Sequence, residues 1–495
     1  MKNTVKDVVV LGGGTAGWIS AALLKKVLGK AINLTLIESE DIGTVGVGEA
    51  TIPPIQVMNN LLGFSEAEFL KKTKATIKLG INFENWYEEG HAYFHSFGIP
   101  GKDSLVCQFH HYLKKSRALG NDTNLSDYDL NYLCAMQGKF AKINSKDPLQ
   151  TLPYAYHFDA TLYAAFLREL CEQNGVTRIE GKVDNVVKGE EQNTVKSVQL
   201  ANGKVISGDL FIDCTGFKGM LIEETLNTGY DDWSHYLPCD SAVAMPSARG
   251  ETIPPYTRSI AHEAGWRWQI PLQHRNGNGV VYCSQFMDGQ KAEDILQQAV
   301  GVNALAEPKH IKFTTGQRKR SWHGNVVAVG LSSGFLEPLE STSIHMIQSA
   351  ILRLVQVFPH EGISDAAINE YNQKTRIEAE QIRDFLMLHY VVHSPNKQGE
   401  FWQAMREISL PERLAHKIEI FKAGGLVFKE QDDLFNQNSW IQVMLGQGIE
   451  PKDYHPVVNS IPDAQLLSMI QGIHTLKHQV LAQLPSHDKF ISSVC

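Results

Sequence analysis

An apolar strand, a glycine turn and an apolar-periodic helix, in that order, decide what the start of this chain can become. Val8-Val9-Val10-Leu11 runs into Gly12-Gly13-Gly14-Thr15-Ala16-Gly17, and Trp18-Ile19-Ser20-Ala21-Ala22-Leu23-Leu24 follows with helical character. A second strand, Leu34-Thr35-Leu36-Ile37, ends at Glu38, 21 residues beyond Gly17. Together these make a βαβ dinucleotide fingerprint. The glycines let the backbone turn tightly and approach a pyrophosphate, the helix start offers unpaired N–H groups to it, and the acid accepts from ribose hydroxyls. Gly12, Gly14, Thr15, Ala16, Gly17 and Glu38 are therefore expected to bind the cofactor. A glycine turn serving structure alone would not require the spaced acid.

Further along, alternation in Thr76-Ile77-Lys78-Leu79-Gly80-Ile81-Asn82-Phe83 predicts one half-buried strand with Lys78 on its polar face. Leu162 to Glu172 reads as an amphipathic helix and Val183 to Leu200 as paired strands around a polar turn. Leu210-Phe211-Ile212-Asp213 is a buried strand before a glycine-bearing loop. A hairpin is expected from Trp266–Leu272 and Val280–Phe286, turning at Arg275-Asn276-Gly277-Asn278-Gly279. Val326 to Gly330 is another buried strand, Leu331 to Ser343 a loop and Ile344 to Phe358 a helix, and from Ser364 the pattern is helical. The expected organisation is a discontinuous cofactor domain over residues 1–360, with a substrate-side insertion at about 84–150, and a mainly helical subdomain over 361–495 that also packs against the insertion.

Composition excludes several classes. Against 46 Lys plus Arg stand 54 Asp plus Glu, a formal net charge of -8, which argues against sequence-independent nucleic-acid binding. No run approaches the ~20 apolar residues of a membrane-spanning helix. Met1 to Val10 lacks a charged head, an apolar run of signal length and a cleavage site, so the expected location is cytoplasmic. The seven cysteines are scattered without a C-x-x-C pair and suggest neither a disulfide framework nor a zinc site. His110 and His111 are adjacent, splay apart on a helix or strand, and read as surface histidines rather than metal ligands.

Only one nucleotide fingerprint is present, so dedicated sites for both a flavin and a nicotinamide are not expected. The long insertion and β-rich middle before the late strand at Val326 resemble flavoproteins of the aromatic hydroxylase type. The fold class expected is thus α/β: an FAD-binding Rossmann-like domain with a β-rich middle and a helical C-terminal subdomain.

Gly265-Trp266-Arg267-Trp268-Gln269-Ile270-Pro271 carries W-x-W-x-I-P, which resembles the diagnostic motif of flavin-dependent halogenases of the tryptophan halogenase family. The resemblance extends in order through Gly12 to Gly17, Gly46-Val47-Gly48-Glu49-Ala50-Thr51-Ile52-Pro53, Lys78, Phe211 to Gly219, Gly334 to Ile344 and His389-Tyr390. On a strand Trp266, Trp268 and Ile270 share one face, with Arg267 and Gln269 on the other. Spacing alone fits core packing. The resemblance implies a wall between flavin and substrate pockets, across which a small oxidant passes.

The same resemblance implies the other roles. Lys78, which by position alone reads as a solvated strand lysine, becomes the catalytic lysine that hydrogen-bonds hypohalous acid or is itself N-halogenated. Glu340, by position a helix-start carboxylate, becomes the glutamate assisting transfer, with Ser341 as its neighbouring hydroxyl. Backbone N–H groups of Thr342 and Ser343 are expected to hold chloride or bromide; family members often have glycine where Ser343 stands. Gly48, Glu49, Ala50, Gly330 and Leu339 join the cofactor set. His95 and Phe97 resemble the aromatic pair that sandwiches an indole, whereas Leu426 to Trp440 lacks the tyrosine pair that grips an amino-acid end, and Glu430 and Trp440 do not restore it.

The expected function is halogenation of an electron-rich, indole-type aromatic, using FADH2 from a separate NAD(P)H-dependent flavin reductase, oxygen and halide. An FAD-dependent aromatic hydroxylase and a non-catalytic flavin-binding protein remain as alternatives. The tryptophan wall with Lys78 and Glu340 separates the first from a halogenase. A homodimer is left open.

Overall fold

The computed structural model describes residues 4–40, 48–359 and 361–495, so Gly46 and Val47 of the motif quoted above lie outside the described residues. The chain divides into two compact units, each gathered from three stretches of sequence: 1–75, 158–240 and 312–380 in one, 76–157, 241–311 and 381–495 in the other.

The first unit is built on a six-stranded sheet in the order Trp322–His323, Val326–Ala328, Leu210–Asp213, Asp7–Leu11, Asn33–Glu38, Thr177–Glu180. All pairings are parallel except that of the two-residue edge strand. The strand Asp7–Leu11 sits between its partners with Val10 opposite both Leu36 and Ile212. Buried on both faces, such central strands are near-continuous apolar runs, which is why Val8-Val9-Val10-Leu11 shows no alternation. The crossover helix Thr15–Leu28 buries Trp18, Ile19, Ala21, Ala22, Leu23 and Leu24, and packs beside the helices Ala160–Gln173 and Ser343–Gln356.

The paired strands expected at Val183 to Leu200 are present as Val183–Lys188 and Val195–Leu200, with Val205–Ser207 added. One side chain ties this meander to the parallel sheet. Asn325 accepts from Val195 N and donates to Val195 O, both at 2.8 Å, reproducing a backbone ladder with an amide side chain.

The second unit carries a seven-stranded sheet ordered Lys309–Lys312, Ser241–Ser247, Asn276–Tyr282, Gly265–Pro271, Thr257–His262, Gly80–Glu84, Ala92–Ser96. Within the insertion, the helix Phe109–Ala118 and its surroundings bury Phe109, Tyr112 and Leu113 against Leu466, Ile470 and Ile473 of the helix Asp463–Gln483.

Three local expectations are corrected here. The stretch from Thr76 to Phe83 is two strands rather than one: Thr76–Lys78 pairs with Ala155–Asp159, while Gly80–Glu84 belongs to the seven-stranded sheet. Leu79 is the joint, its N–H donating to Pro255 O and its carbonyl accepting from Phe97 N. Next, Asn276-Gly277-Asn278-Gly279 is not a turn but the start of the strand Asn276–Tyr282; a glycine there serves close approach, because a Cβ on Gly279 would lie 2.1 Å from the Trp268 ring. Finally, His110 and His111 are buried, with ring centroids 4.1 Å apart. His110 donates from Nε2 to Gly425 O and His111 accepts at Nδ1 from His455 N. Packed polar partners, invisible to helical spacing, draw both rings inward.

Candidate active site

In the first unit the glycine turn lies at the carboxyl ends of the parallel strands, where open α/β sheets bind ligands. Gly12 has φ +106°, and a Cβ there would reach within 2.3 Å of Cys214 O. A Cβ on Gly17 would fall 1.8 Å from Gly12 O, and one on Gly13 only 1.6 Å from Glu38 Oε2. These three positions must be glycine for the protein's own packing. Gly14 differs, since nothing lies within 4 Å of its missing Cβ. As the extended N-cap of the helix Thr15–Leu28 it brings no capping side chain and no acid in the first turn. The first helical N–H groups are thus left for an anion, which fits a pyrophosphate.

Glu38 ends the second strand of the fingerprint, its side chain 12% exposed. Oε1 accepts from Arg178 Nε at 2.5 Å and Oε2 from Trp18 Nε1 at 3.2 Å. The acid is therefore held in place from the strand Thr177–Glu180, a contact that spacing could not reveal. Gly330 has φ +70°, and a Cβ on it would sit 2.8 Å from Ala16 Cβ, so it too closes on the turn. Leu339 is buried. Glu49 lies between buried Gly48 and Ala50 on a short strand, and burial pushes its carboxyl up to about 7.

Glu340 closes the short helix Pro338–Glu340 and is wholly buried. Ser341 follows in the left-handed conformation at φ 61°, ψ 39°, a strained position for a residue with a Cβ. Thr342 is the N-cap of the helix Ser343–Gln356 and makes no side-chain cap. The N–H groups of Thr342 and Ser343 therefore begin a helix that its N-cap side chain leaves uncapped and whose first turn carries no acid, in keeping with an anion seat.

In the second unit Lys78 is 0% exposed, although strand position predicted a solvated lysine. That prediction is corrected: all three residues of Thr76–Lys78 are buried. The Phe97 ring stands 5.4 Å from Lys78 Nζ, brought there by the backbone bond from Phe97 N to Leu79 O. His95 is buried and turns to other rings, at 5.5 Å from Phe385 and 6.2 Å from Phe435. Those two phenylalanines stack at 3.8 Å.

The strand Gly265–Pro271 alternates as expected, with Trp266, Trp268 and Ile270 buried and Arg267 and Gln269 half-buried. The two indoles are 6.0 Å apart, and Trp86 backs Trp266 at 6.4 Å. Trp86 donates from Nε1 to Ser259 O. Trp86, Phe385 and Phe435 were not anticipated from sequence; Phe435, a lone aromatic in a polar stretch, gave only a faint signal. Among the described residues no group of three or more His, Cys, Asp or Glu is placed to hold a metal ion, and no helix is long and apolar enough to cross a membrane.

Known proteins resemble this chain in both sequence and fold. Residues 7–463 match the family described as tryptophan halogenase. The chain is 32% identical to the tryptophan 6-halogenase ThaL of Streptomyces albogriseolus, over 94% of each protein. Among solved structures, the flavin-dependent halogenase Xcc4156 from Xanthomonas campestris superposes with a TM-score of 0.97 at 44% identity, covering 100% of this chain and 99% of that one. The flavin-dependent halogenase BrvH from Brevundimonas sp. BAL3 does so at 0.95 and 37%, covering 99% of each. Fold and matches together define a flavin-dependent halogenase. The chain belongs to the tryptophan halogenase family.

Proposed function

We propose that this halogenase modifies an electron-rich, indole-type aromatic, with Lys78 and Glu340 directing hypohalous acid onto the ring. The observation that carries the reading is the burial of both side chains at 0% exposure. Removing a lysine and a glutamate from water is costly, and such groups are rarely kept for packing. Bound reduced FAD would supply the two-electron activation of oxygen that oxidises chloride or bromide. Gly12, Gly14, Thr15, Ala16 and Gly17 would cradle its pyrophosphate, Glu38 its ribose, and Gly48, Glu49, Ala50, Gly330 and Leu339 the remainder. Thr342 and Ser343 would hold the halide. Trp266 and Trp268 would supply the apolar wall that favours halogen transfer over direct hydroxylation. His95 and Phe97 present aromatic faces to the substrate. Lys78 hydrogen-bonds the oxidant or carries its halogen, and Glu340 polarises the donor or takes the ring proton.

A single nucleotide fingerprint implies that a separate NAD(P)H-dependent reductase provides FADH2, and the cytoplasm is the compartment that supplies both. Glu430 supports indole over free tryptophan. Its carboxylate is engaged by Lys417, at 2.6 Å, and Arg413, at 3.0 Å, two cations that already balance the charge an amine would seek.

The test is direct. The chain is incubated with FAD, a flavin reductase, NADH, oxygen, chloride or bromide and a panel of indoles, and products are read for halogen isotope patterns by mass spectrometry. Halide-dependent halogenated indoles are expected. Hydroxylated products would favour the hydroxylase reading, and flavin oxidation with no halide-dependent product would overturn the proposal.

A further inference from the structure

The short strand bearing Lys78 is held from three distant parts of the chain, by one backbone carbonyl and two imidazoles. Thr76 Oγ1 donates to Pro271 O at 2.6 Å, joining this strand to the end of the W-x-W-x-I-P segment. With its proton committed, Thr76 Oγ1 accepts from His157 Nδ1 at 3.1 Å. His157 then has a lone pair at Nε2, which accepts from Thr257 Oγ1 at 2.9 Å. On the next residue, Ile77 N–H donates to His487 Nε2 at 3.2 Å, while His487 Nδ1 donates to Ile253 O at 2.8 Å. Both imidazoles are 0% exposed. Each has one donor and one acceptor nitrogen in use, which defines a neutral Nδ1–H tautomer.

The two rings bracket the strand, His157 directly opposite Thr76 in the antiparallel pair and His487 on the N–H of Ile77. A second proton on His487 would set an N–H against the Ile77 N–H and add a buried charge near Lys78. The surrounding groups oppose it: burial, then the charge of Lys78, hold His157 well below the usual histidine range. Burial likewise takes His487 down to about 4, against smaller raising effects from Ile253 O and Asp488. An apolar core could fill the same space without desolvating four polar atoms. A fully satisfied polar network instead admits one arrangement of the strand.

We infer that His157 and His487 are positioning residues for Lys78, fixing Thr76 and Ile77 and thereby the direction in which the Lys78 side chain leaves the strand. The inference rests on the reading of Lys78 as the residue that hands halogen to the substrate.

The experiment uses the full chain with FAD, reductase, NADH, oxygen, bromide and indole. It measures flavin oxidation, bromoindole and free hypobromous acid caught by an added dicarbonyl scavenger. His157→Phe and His487→Phe remove the hydrogen bonds, whereas His157→Gln and His487→Gln retain a donor and an acceptor. For the Phe variants kcat for bromination is expected to fall roughly tenfold to a hundredfold. KM for indole and the rate of flavin oxidation should change little, and trapped oxidant should rise. The Gln variants should recover most of the coupling. Wild-type coupling in the Phe variants would overturn the inference, as would a parallel loss of flavin oxidation. Should the Phe variants fail to fold, Thr257→Val removes only the donor to His157, and unchanged coupling there would be equally fatal. Lys78→Ala separates the two readings: near-normal bromination by that variant removes the catalytic role, whereas its inactivity beside fully coupled histidine variants removes only the positioning role.

Discussion

The indole of Trp268 covers Gly279 on the neighbouring strand, where a Cβ would lie 2.1 Å from the ring. The tryptophan wall thus depends on a residue defined by what it lacks. Gly279→Ala should displace the indole and destabilise the protein by about 1–3 kcal/mol through overpacking, measured by urea unfolding. Flavin binding should persist, because the glycine turn lies in the other unit, while the share of flavin turnover that ends in halogenated product falls. Unchanged stability and coupling would show that the wall tolerates a displaced ring.

Lys78→Ala should abolish aryl halogenation and leave flavin binding and the oxidation of reduced flavin largely intact. Glu340→Gln should act in the same direction less completely. Single-turnover flavin oxidation followed beside product formation checks both, and near-normal halogenation by Lys78→Ala would end the assignment.

Substrate choice turns on Glu430. Burial raises its carboxyl, but Lys417 and Arg413 outweigh this and hold it below the ordinary carboxylate value, so it remains an anion already spoken for. Free tryptophan would have to desolvate its amine and carboxylate without that partner, at a cost of several kcal/mol. In an equimolar competition, indole should be halogenated faster than tryptophan and at its electron-rich carbon. A predominantly benzo-ring-halogenated tryptophan would reveal an amino-acid clamp elsewhere.

Stability should decline in mild acid. Burial takes His110 down to about 3, and His111, His262, His393 and His487 to about 4. The unfolded chain binds these protons near pH 6.5 and the folded protein does not. Stability is therefore full above that pH and is lost as pH falls toward 4, each ring contributing a slope of up to about 1.4 kcal/mol per pH unit. Urea midpoints at pH 7.5, 6 and 5 test this, and His110→Gln should flatten the profile. A midpoint that rises between pH 6.5 and 5 would contradict it.

Much of the first unit was legible because its signals are local. Strand, glycine turn, helix and spaced acid fall within forty residues; in the second unit, alternation along Gly265–Pro271 gave the face of the two indoles for the same reason. What escaped depends on contacts between distant residues. The burial of Lys78 follows from how its strand is covered, not from the pattern of Thr76 to Phe83. Asn276 to Gly279 carries turn chemistry in sequence yet lies in a strand, because the opposing Trp268 needs the room. Arg178 on Glu38, and His157 and His487 beside Lys78, are ordinary residues until the fold brings them together.

The bond from Ile77 to His487 joins residues 410 positions apart. A ribosome emitting about 5–20 residues per second therefore finishes the Lys78 strand's last acceptor tens of seconds after the strand itself emerges. The Asp7–Leu11 strand waits similarly, for Leu210–Asp213 on one side. The nascent chain must carry unpaired strand edges for that whole interval, so yield in the cell should respond to chaperone supply and translation speed.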